Sequence, residues 1–334
     1  MEEVYPSIFL IKEEGSFGVM KPPENVYVIA GKNGLIYDAG YGTIWTIKHA
    51  ISQFNKIKRL YEEEKKAFNV TRILPSHVHP DHISGLKKLR KYLGLKIVLT
   101  EKMASIIKDK ESYLKYYHSP ITIEESYDIN SPGEFLSIFF RNISYSILFN
   151  VIYGIKFISD PNKIIKANST IMINGEEWDI LPSPGHSSDH ISLYNKEKGI
   201  LLSGDNVLRT VTTWLGPPNS NIKKYIETIK MIQNLPNLKL ILPAHGSPVS
   251  NPKERLKEII AHRHKKTQQV LEIIQEHKED GITLRELLGK MYSHKSTFMQ
   301  GVAKGWVILT LRMLWSEKLI EYRIKEDILK FYPQ

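Results

Sequence analysis

The stretch His77-Val78-His79-Pro80-Asp81-His82 places four potential metal ligands within six residues, and only Pro75-Ser76 separates it from the apolar pair Ile73-Leu74. In an extended chain, alternation puts the side chains of His77 and His79 on the same side, and Asp81 and His82 follow at a turn that enters a helix. Each imidazole or carboxylate taken from water needs a partner, and a divalent metal supplies one for all four side chains. The stretch therefore predicts a metal site at the end of a strand.

Composition restricts the kind of metal site. The 334 residues include no cysteine, which excludes disulfides, thiolate catalysis and cysteine-ligated zinc or iron–sulfur clusters.

The 42% hydrophobic and 25% charged content is that of an ordinary globular protein, and the length suits one large domain and a smaller one. No signal-peptide pattern is seen at the start, and the most apolar stretch, residues 143–158, is shorter than the ~20 residues of a membrane span. We therefore expect a cytoplasmic protein with no membrane contact.

Strands and helices are predicted to alternate through residues 1–250, which is an α/β pattern. The predicted strands are 26–30, 35–37, 96–99, 170–173, 178–181, 191–194, 200–202 and 238–242, and the predicted helices are 44–65, 85–92 and 221–235. Three further polar motifs directly follow strands: Pro184-Gly185-His186, Gly204-Asp205 and Ala244-His245-Gly246. Because α/β sites are commonly built at strand ends, we expect these motifs to join the first stretch in one site.

Residues 101–166 interrupt this alternation and are predicted to form a helical insertion rich in aromatic side chains. Aromatic residues at helical spacing usually pack in a core, but an insertion between two ligand motifs is also placed to cover a site. Both interpretations stay open at this point. The aromatic residues are Tyr113, Tyr116, Tyr117, Phe135, Phe139, Phe140, Tyr145, Phe149, Tyr153 and Phe157.

Residues 253–334 are predicted to form a second, winged-helix domain. A long helix to about residue 277, a capping box at Thr283 and Glu286, a helix over 302–316 and strands at 319–323 and 328–332 make this pattern. From residue 253 onward the chain has 16 Lys or Arg against 11 Asp or Glu, which is half of its formal net charge of +10. This basic region is either a set of solvated helix faces or a polyanion-binding surface.

Seven residues at strand ends are the candidate metal ligands. Five imidazoles and two carboxylates are enough for two divalent ions that share one carboxylate. Mixed nitrogen and oxygen donors suit zinc, with manganese or iron as alternatives. The residues are His77, His79, Asp81, His82, His186, Asp205 and His245.

These motifs, together with Asp38-Ala39-Gly40, resemble those of the metallo-β-lactamase superfamily in order and spacing over about residues 1–250, and the domain is predicted to span residues 1–252. The resemblance implies an αββα sandwich with metals at one edge between two sheets. It assigns His77, His79 and His186 to one ion and Asp81, His82 and His245 to the other, with Asp205 bridging. Lactamases that hydrolyse antibiotics often replace several of these positions, frequently with Cys. We therefore do not expect antibiotic hydrolysis.

The resemblance also implies a mechanism, in which two metal ions hold a bridging hydroxide that attacks carbon or phosphorus. Asp81 is the predicted catalytic residue, because it can both bind a metal and orient the hydroxide. His190 and Asp38 are predicted to support ligands or structure. The sequence shows no obvious general acid.

Two main hypotheses for the substrate stay open. The first is a small ester, thioester or lactone, covered by the aromatic segment. The second is single-stranded RNA, cleaved by a phosphodiesterase that binds it through basic residues such as Lys304, Arg312 and Arg323. Residues 214–218, Tyr225 and the motif Ala261-His262-Arg263 resemble a superfamily branch with a C-terminal winged helix, some members of which are endoribonucleases. A non-catalytic binding protein is a third hypothesis, and a homodimer is a further expectation.

Overall fold

The computed structural model describes residues 1–13, 22–117, 152–210, 212–293, 297–326 and 328–334. Two β-sheets lie at the centre of this part of the chain. The strands of the first sheet, in spatial order, are β1 (Glu2–Tyr5), β2 (Ile8–Lys12), β3 (Asn25–Ile29), β4 (Gly34–Tyr37), β5 (Val70–Leu74), β6 (Lys96–Thr100) and β7 (Lys163–Ile165). The second sheet has the order β12-β11-β10-β9-β8, from β8 (Ser169–Ile173), β9 (Glu176–Pro182), β10 (Ile191–Asn195), β11 (Ile200–Gly204) and β12 (Leu240–Pro243).

The first sheet changes from antiparallel to parallel at β4. Strands β3 and β4 form an antiparallel pair joined by a short turn, and β4, β5 and β6 then pair in parallel. Parallel neighbours need long crossovers, which helices α1 (Ile44–Glu63) and α3 (Leu86–Leu93) provide. The short helix α2 (Pro80–Ile83) lies between β5 and α3 and belongs to the first ligand stretch.

The two sheets pack face to face in one core. Val28 and Ile73 of the first sheet and Trp178 and Leu193 of the second are almost fully buried in the same cluster. Tyr37 Oη donates to the Ile191 carbonyl at 2.9 Å, which joins the sheets by a buried hydrogen bond.

Helices cover the outer faces of both sheets. On the first sheet, α1 buries Ile47, Phe54 and Ile57. On the second, helix α6 (Ile222–Gln233) buries its apolar face against strands β11 and β12. The predicted α/β sandwich is therefore confirmed.

The prediction that residues 101–166 form a helical insertion is wrong at its C-terminal end. Helices α4 (Glu101–Ile107) and α5 (Lys110–Tyr117) open the segment as predicted, but β7 (Lys163–Ile165) is a strand that pairs in parallel with β6. The first sheet therefore extends into the predicted insertion. Residues 118–151, with Phe135, Phe139, Phe140, Tyr145 and Phe149, lie outside the described part of the chain.

The C-terminal elements match the predicted order. They are α7 (Pro252–Glu276), α8 (Leu284–Met291), α9 (Thr297–Ser316), β13 (Ile320–Lys325) and β14 (Ile328–Pro333). The capping box of Thr283 and Glu286 is present, and β13 and β14 form an antiparallel hairpin. The assignment of these elements to a winged helix stays a prediction.

The C-terminal helices share packing with the sandwich. One core lies within this region and includes Ile274 and Leu287. Leu256 of α7 and Leu309 of α9, however, pack in the same cluster as Tyr225 of α6. Among the described residues, no helix has the length and apolarity to cross a membrane.

Candidate metal centre

Four loops at one edge of the sandwich bring the seven candidate ligands together. Each loop leaves the end of a strand: β5 leads to the first ligand stretch, β9 to His186, β11 to Asp205 and β12 to His245. The seven side chains form two groups that meet at Asp205.

The first group contains His77, His79, His186 and Asp205, whose potential ligand atoms all lie within 4.8 Å of one another. The Nε2 atom of His186 lies 2.9 Å from His79 Nδ1 and 3.2 Å from His77 Nε2. It also lies 3.4 Å from Asp205 Oδ2. Three imidazole nitrogens and one carboxylate oxygen therefore point at one small volume.

The second group contains Asp81, His82 and His245. His245 Nε2 lies 3.4 Å from Asp81 Oδ2 and 3.3 Å from Asp205 Oδ1, and His82 Nε2 lies 3.6 Å from Asp205 Oδ1. One oxygen of Asp205 thus faces each group. This is the arrangement expected of a carboxylate shared by two ions.

The donor set fits divalent metal ions. His82 Nε2 and Asp205 Oδ1 are buried atoms without a hydrogen-bond partner, and they face each other. Buried polar atoms are normally paired, so a cation between them would supply the missing partner. Imidazole and carboxylate donors without thiolate suit zinc, and also manganese or iron.

Electrostatics prepares the imidazoles of the first group as neutral ligands. Burial, reinforced by neighbouring histidines, lowers the pKa of His77 well below its usual value. Burial and His186 lower the pKa of His79 to about 3. Burial likewise lowers the pKa of His186. A neutral imidazole offers a lone pair to a metal, so these side chains need no deprotonation before binding.

The second group has the opposite electrostatic character. Burial alone would lower the pKa of His82, but Glu24 and Asp38 outweigh it and leave that pKa well above its usual value. Burial is also outweighed at His245, where Asp205 and Asp81 raise the pKa to about 10. Without metal, this group is therefore held together by protonated histidines and carboxylates. A metal ion bound there has to displace these protons.

Backbone carbonyls fix the orientation of two ligand histidines. His186 donates from Nδ1 to the Trp214 carbonyl at 2.8 Å, and His245 donates from Nδ1 to the Pro23 carbonyl at 2.9 Å. Since a carbonyl can only accept, Nδ1 carries the proton in both rings and Nε2 is left facing the centre. Such contacts behind a ligand set its tautomer and angle.

The glycines that precede two ligands allow close packing of their loops. Gly185 has φ +143°, and a Cβ at this position would lie 2.3 Å from the Tyr225 backbone. Gly204 has φ +52°, and a Cβ there would lie 2.5 Å from His190 Nε2. Both positions therefore require glycine.

His190 and Asp38 contact ligand loops from behind. His190 Nε2 accepts from the backbone N–H of Asp205 at 3.1 Å, and its Nδ1 lies 2.8 Å from Ser183 Oγ. Asp38 Oδ1 accepts from the Ser76 N–H at 2.6 Å and lies 3.2 Å from His82 Nδ1. Both nitrogens of His190 are engaged, so its contacts are those of a support residue.

Sequence reasoning missed Glu24. This carboxylate is fully buried, and its Oε1 lies 3.0 Å from His82 Nδ1. The only signal in the sequence was a charged residue directly before the apolar strand β3. That signal does not identify a partner 58 positions along the chain.

The described tyrosines of the aromatic segment pack against the ligand loops. Tyr113 and Tyr117 both donate to the Val78 carbonyl, and the Tyr117 ring lies 5.8 Å from that of His79. Tyr116 donates to Asp189 Oδ1 at 2.7 Å, and Asp189 Oδ2 accepts from the Val78 N–H. The sequence left two alternatives for these aromatic residues, core packing and contact with the site. The tyrosines of α5 do both.

Comparisons with known proteins agree with this geometry. Residues 21–245 match the sequence profile of the Metallo-beta-lactamase superfamily. The "Beta-lactamase-like protein 2 homolog" of Caenorhabditis elegans is 28% identical over 151 residues, which are 45% of this chain and 49% of that protein. The "Atrochrysone carboxyl ACP thioesterase" of Aspergillus fumigatus is 27% identical over 127 residues, 38% of each chain.

A beta-lactamase domain protein from Burkholderia ambifaria has a similar fold, with a TM-score of 0.75 at 17% identity over 100% of this chain and 93% of that one. The chain spans about half the length, or less, of the curated relatives named above. The profile, in contrast, covers strands β3 to β12 and all seven candidate ligands. The chain therefore belongs to the metallo-β-lactamase superfamily.

Proposed function

We propose that this protein is a hydrolase dependent on two divalent metal ions, acting on a small ester, thioester or lactone. The observation that carries the proposal is the position of Asp205, with one carboxylate oxygen toward each ligand group. Membership of the superfamily supports the same reaction class.

The ligand groups define which residues would hold each ion. His77, His79 and His186 would hold one ion, and Asp81, His82 and His245 the other, with Asp205 shared. Zinc is the preferred metal, with manganese and iron as alternatives. When bound, the ions supply Lewis acidity and lower the pKa of a coordinated water toward neutrality.

Asp81 is the proposed catalytic residue. Its carboxylate is 15% exposed, so water reaches it and it can accept a hydrogen bond from the attacking water. This contact would orient the water oxygen toward the acyl carbon. The new carbon–oxygen bond replaces the bond to the leaving thiol or alcohol. One hydrogen of the water passes to this leaving group, and the other is released as the proton of the carboxylic acid product.

An acyl substrate agrees with the aromatic side chains beside the ligands. The Trp214 ring is half exposed and lies 6.5 Å from the His186 ring. The Tyr117 ring lies beside the His79 imidazole. Aromatic walls with a few polar groups are typical of small-molecule sites. The thioesterase name of the Aspergillus fumigatus relative supports the same substrate class.

Single-stranded RNA stays the alternative substrate, but the three basic residues predicted to bind it have protein contacts. Arg323 pairs with Glu321 and lies 4.6 Å from the Tyr332 ring. Lys304 and Arg312 are half-buried and have partners of their own. Because these three cations have contacts within the protein, whereas aromatic side chains lie directly beside the ligands, we rank the acyl substrate first.

The test is metal-dependent turnover of a substrate panel. Protein stripped with a chelator and reloaded with zinc, manganese or iron would be assayed on thioesters, esters, lactones and labelled single-stranded RNA. Asp205→Asn is expected to abolish acyl hydrolysis, and Asp280→Asn, in the exposed turn before α8, is the matched control. Absence of acyl turnover with every metal would refute the proposal, and salt-sensitive RNA cleavage would establish the alternative.

A further inference from the structure

Arg263 of helix α7 is a buried cation without a carboxylate partner among the described residues. The residue is 5% exposed, and its Nε has no hydrogen-bond partner. Its Nη2 donates to the Thr213 carbonyl at 2.8 Å, and the guanidinium lies 5.6 Å from the Tyr225 ring. Burying a charge is costly unless it is paired, so we expect the buried Arg263 guanidinium to have a role beyond packing.

The residue that Arg263 contacts also supports the proposed bridging ligand. Thr213 Oγ1 donates to the carbonyl of Asp205 at 2.6 Å and lies 3.2 Å from that of Asn206. Tyr225 Oη donates to the same Asn206 carbonyl at 2.8 Å. Arg263 therefore contacts two of the residues that hold the backbone around Asp205 by hydrogen bonds.

The next residue supports a second proposed ligand. The Trp214 carbonyl accepts the Nδ1–H of His186, which leaves His186 Nε2 facing the first group. The carbonyls of Thr213 and Trp214 are adjacent in one loop. The first accepts a hydrogen bond from the Arg263 guanidinium and the second from the His186 imidazole. A shift of the loop at Thr213 would move the acceptor that orients His186.

We propose that Arg263 is a positioning residue of the metal centre. Through Thr213 and Trp214 it fixes the loop that orients Asp205 and His186, so helix α7 contributes to metal binding although it supplies no ligand. The inference rests on the proposed function only in requiring that these residues bind a metal ion, and not on any substrate.

Metal affinity of the full-length protein tests the inference. Metal-free Arg263→Met would be titrated with cobalt(II), with the visible absorption of cobalt reporting coordination geometry, and with zinc in competition. Loss of a partner behind a ligand typically weakens metal binding by about 10–100-fold, and we expect this loss with an altered cobalt spectrum. Arg255→Met is the matched control, because Arg255 lies on the same helix and donates to the Leu208 carbonyl of the same loop at 2.7 Å.

A second pair of variants decides the question if Arg263→Met does not fold. Thr213→Val removes the hydroxyl that holds Asp205, whereas Thr213→Ser retains it. We expect weaker metal binding in the first and nearly wild-type binding in the second.

Wild-type affinity in either Arg263→Met or Thr213→Val would overturn the inference. An equal loss in Arg255→Met would also overturn it, because the effect would then be general packing. A wild-type protein that binds metal and hydrolyses no acyl substrate would refute only the proposed function.

Discussion

The two halves of the centre are built from similar residues but differ in charge. In the first, burial leaves His77, His79 and His186 neutral around one carboxylate. In the second, His82 and His245 are held as cations by the surrounding carboxylates. A metal ion can bind the free lone pairs of the neutral imidazoles in the first half. In the second half it has to displace protons from the imidazoles. Equal ligand counts therefore do not imply equal affinity, and we expect the first half to bind the tighter ion.

The largest effect is expected from the residue common to both halves. Asp205→Asn removes a charge from both groups, so we expect bound metal to fall below one ion per chain and acyl hydrolysis to drop at least about 100-fold. Elemental analysis of the dialysed protein and steady-state assays measure both. Retention of two ions would show that Asp205 does not bridge.

The next test separates the halves. His245→Ala removes a ligand of the second group only, so we expect one tightly held ion to stay and the weaker one to be lost. His186→Ala is the counterpart and should cost the tighter ion. Zinc titration with a chromophoric chelator distinguishes the two outcomes. If both variants lose the same ion, the halves are not independent.

A smaller and selective effect is expected at Glu24. Glu24→Gln keeps the size of the buried side chain but removes the carboxylate that lies 3.0 Å from His82 Nδ1. His82 Nδ1 then loses an acceptor that orients the ring, and this loss outweighs the easier displacement of its proton. We therefore expect about tenfold weaker binding of the second ion, with the first unchanged. Glu272→Gln, on the exposed surface of α7, serves as the control. Weakening confined to the first ion would contradict the role given to Glu24.

The sequence was sufficient for the α/β pattern and the ligand candidates, because strand periodicity and dense motifs such as residues 77–82 are local signals, and the sandwich followed from the resemblance that these motifs carry. Contacts through the backbone were not predictable. The Trp214 carbonyl reaches His186 across 28 positions, and any residue at 214 has a carbonyl. Strand β7 was missed because Lys163-Ile164-Ile165 has only three residues, too few to show an alternation of polar and apolar side chains. Its first two side chains are exposed in the structure. Arg263 could be noted as part of a motif, but its burial depends on how α7 packs.

The smallest effect is expected where α5 meets the loop of the first group. Tyr116→Phe removes the hydrogen bond to Asp189 Oδ1, but Ser187 Oγ still donates to this oxygen and the Val78 N–H to the other. Because Asp189 stays partnered, we expect a loss of about 1 kcal/mol in the free energy of unfolding. Metal affinity should change by less than about tenfold, since no ligand loses a direct partner.

Urea denaturation of the metal-free protein measures the first quantity and zinc titration the second, with the exposed Tyr92→Phe as control. A large loss of the tighter ion in Tyr116→Phe would mean that the loop of His186 depends on α5 for its position. The neutral half would then owe its affinity to packing around the loop as well as to the charge state of its histidines.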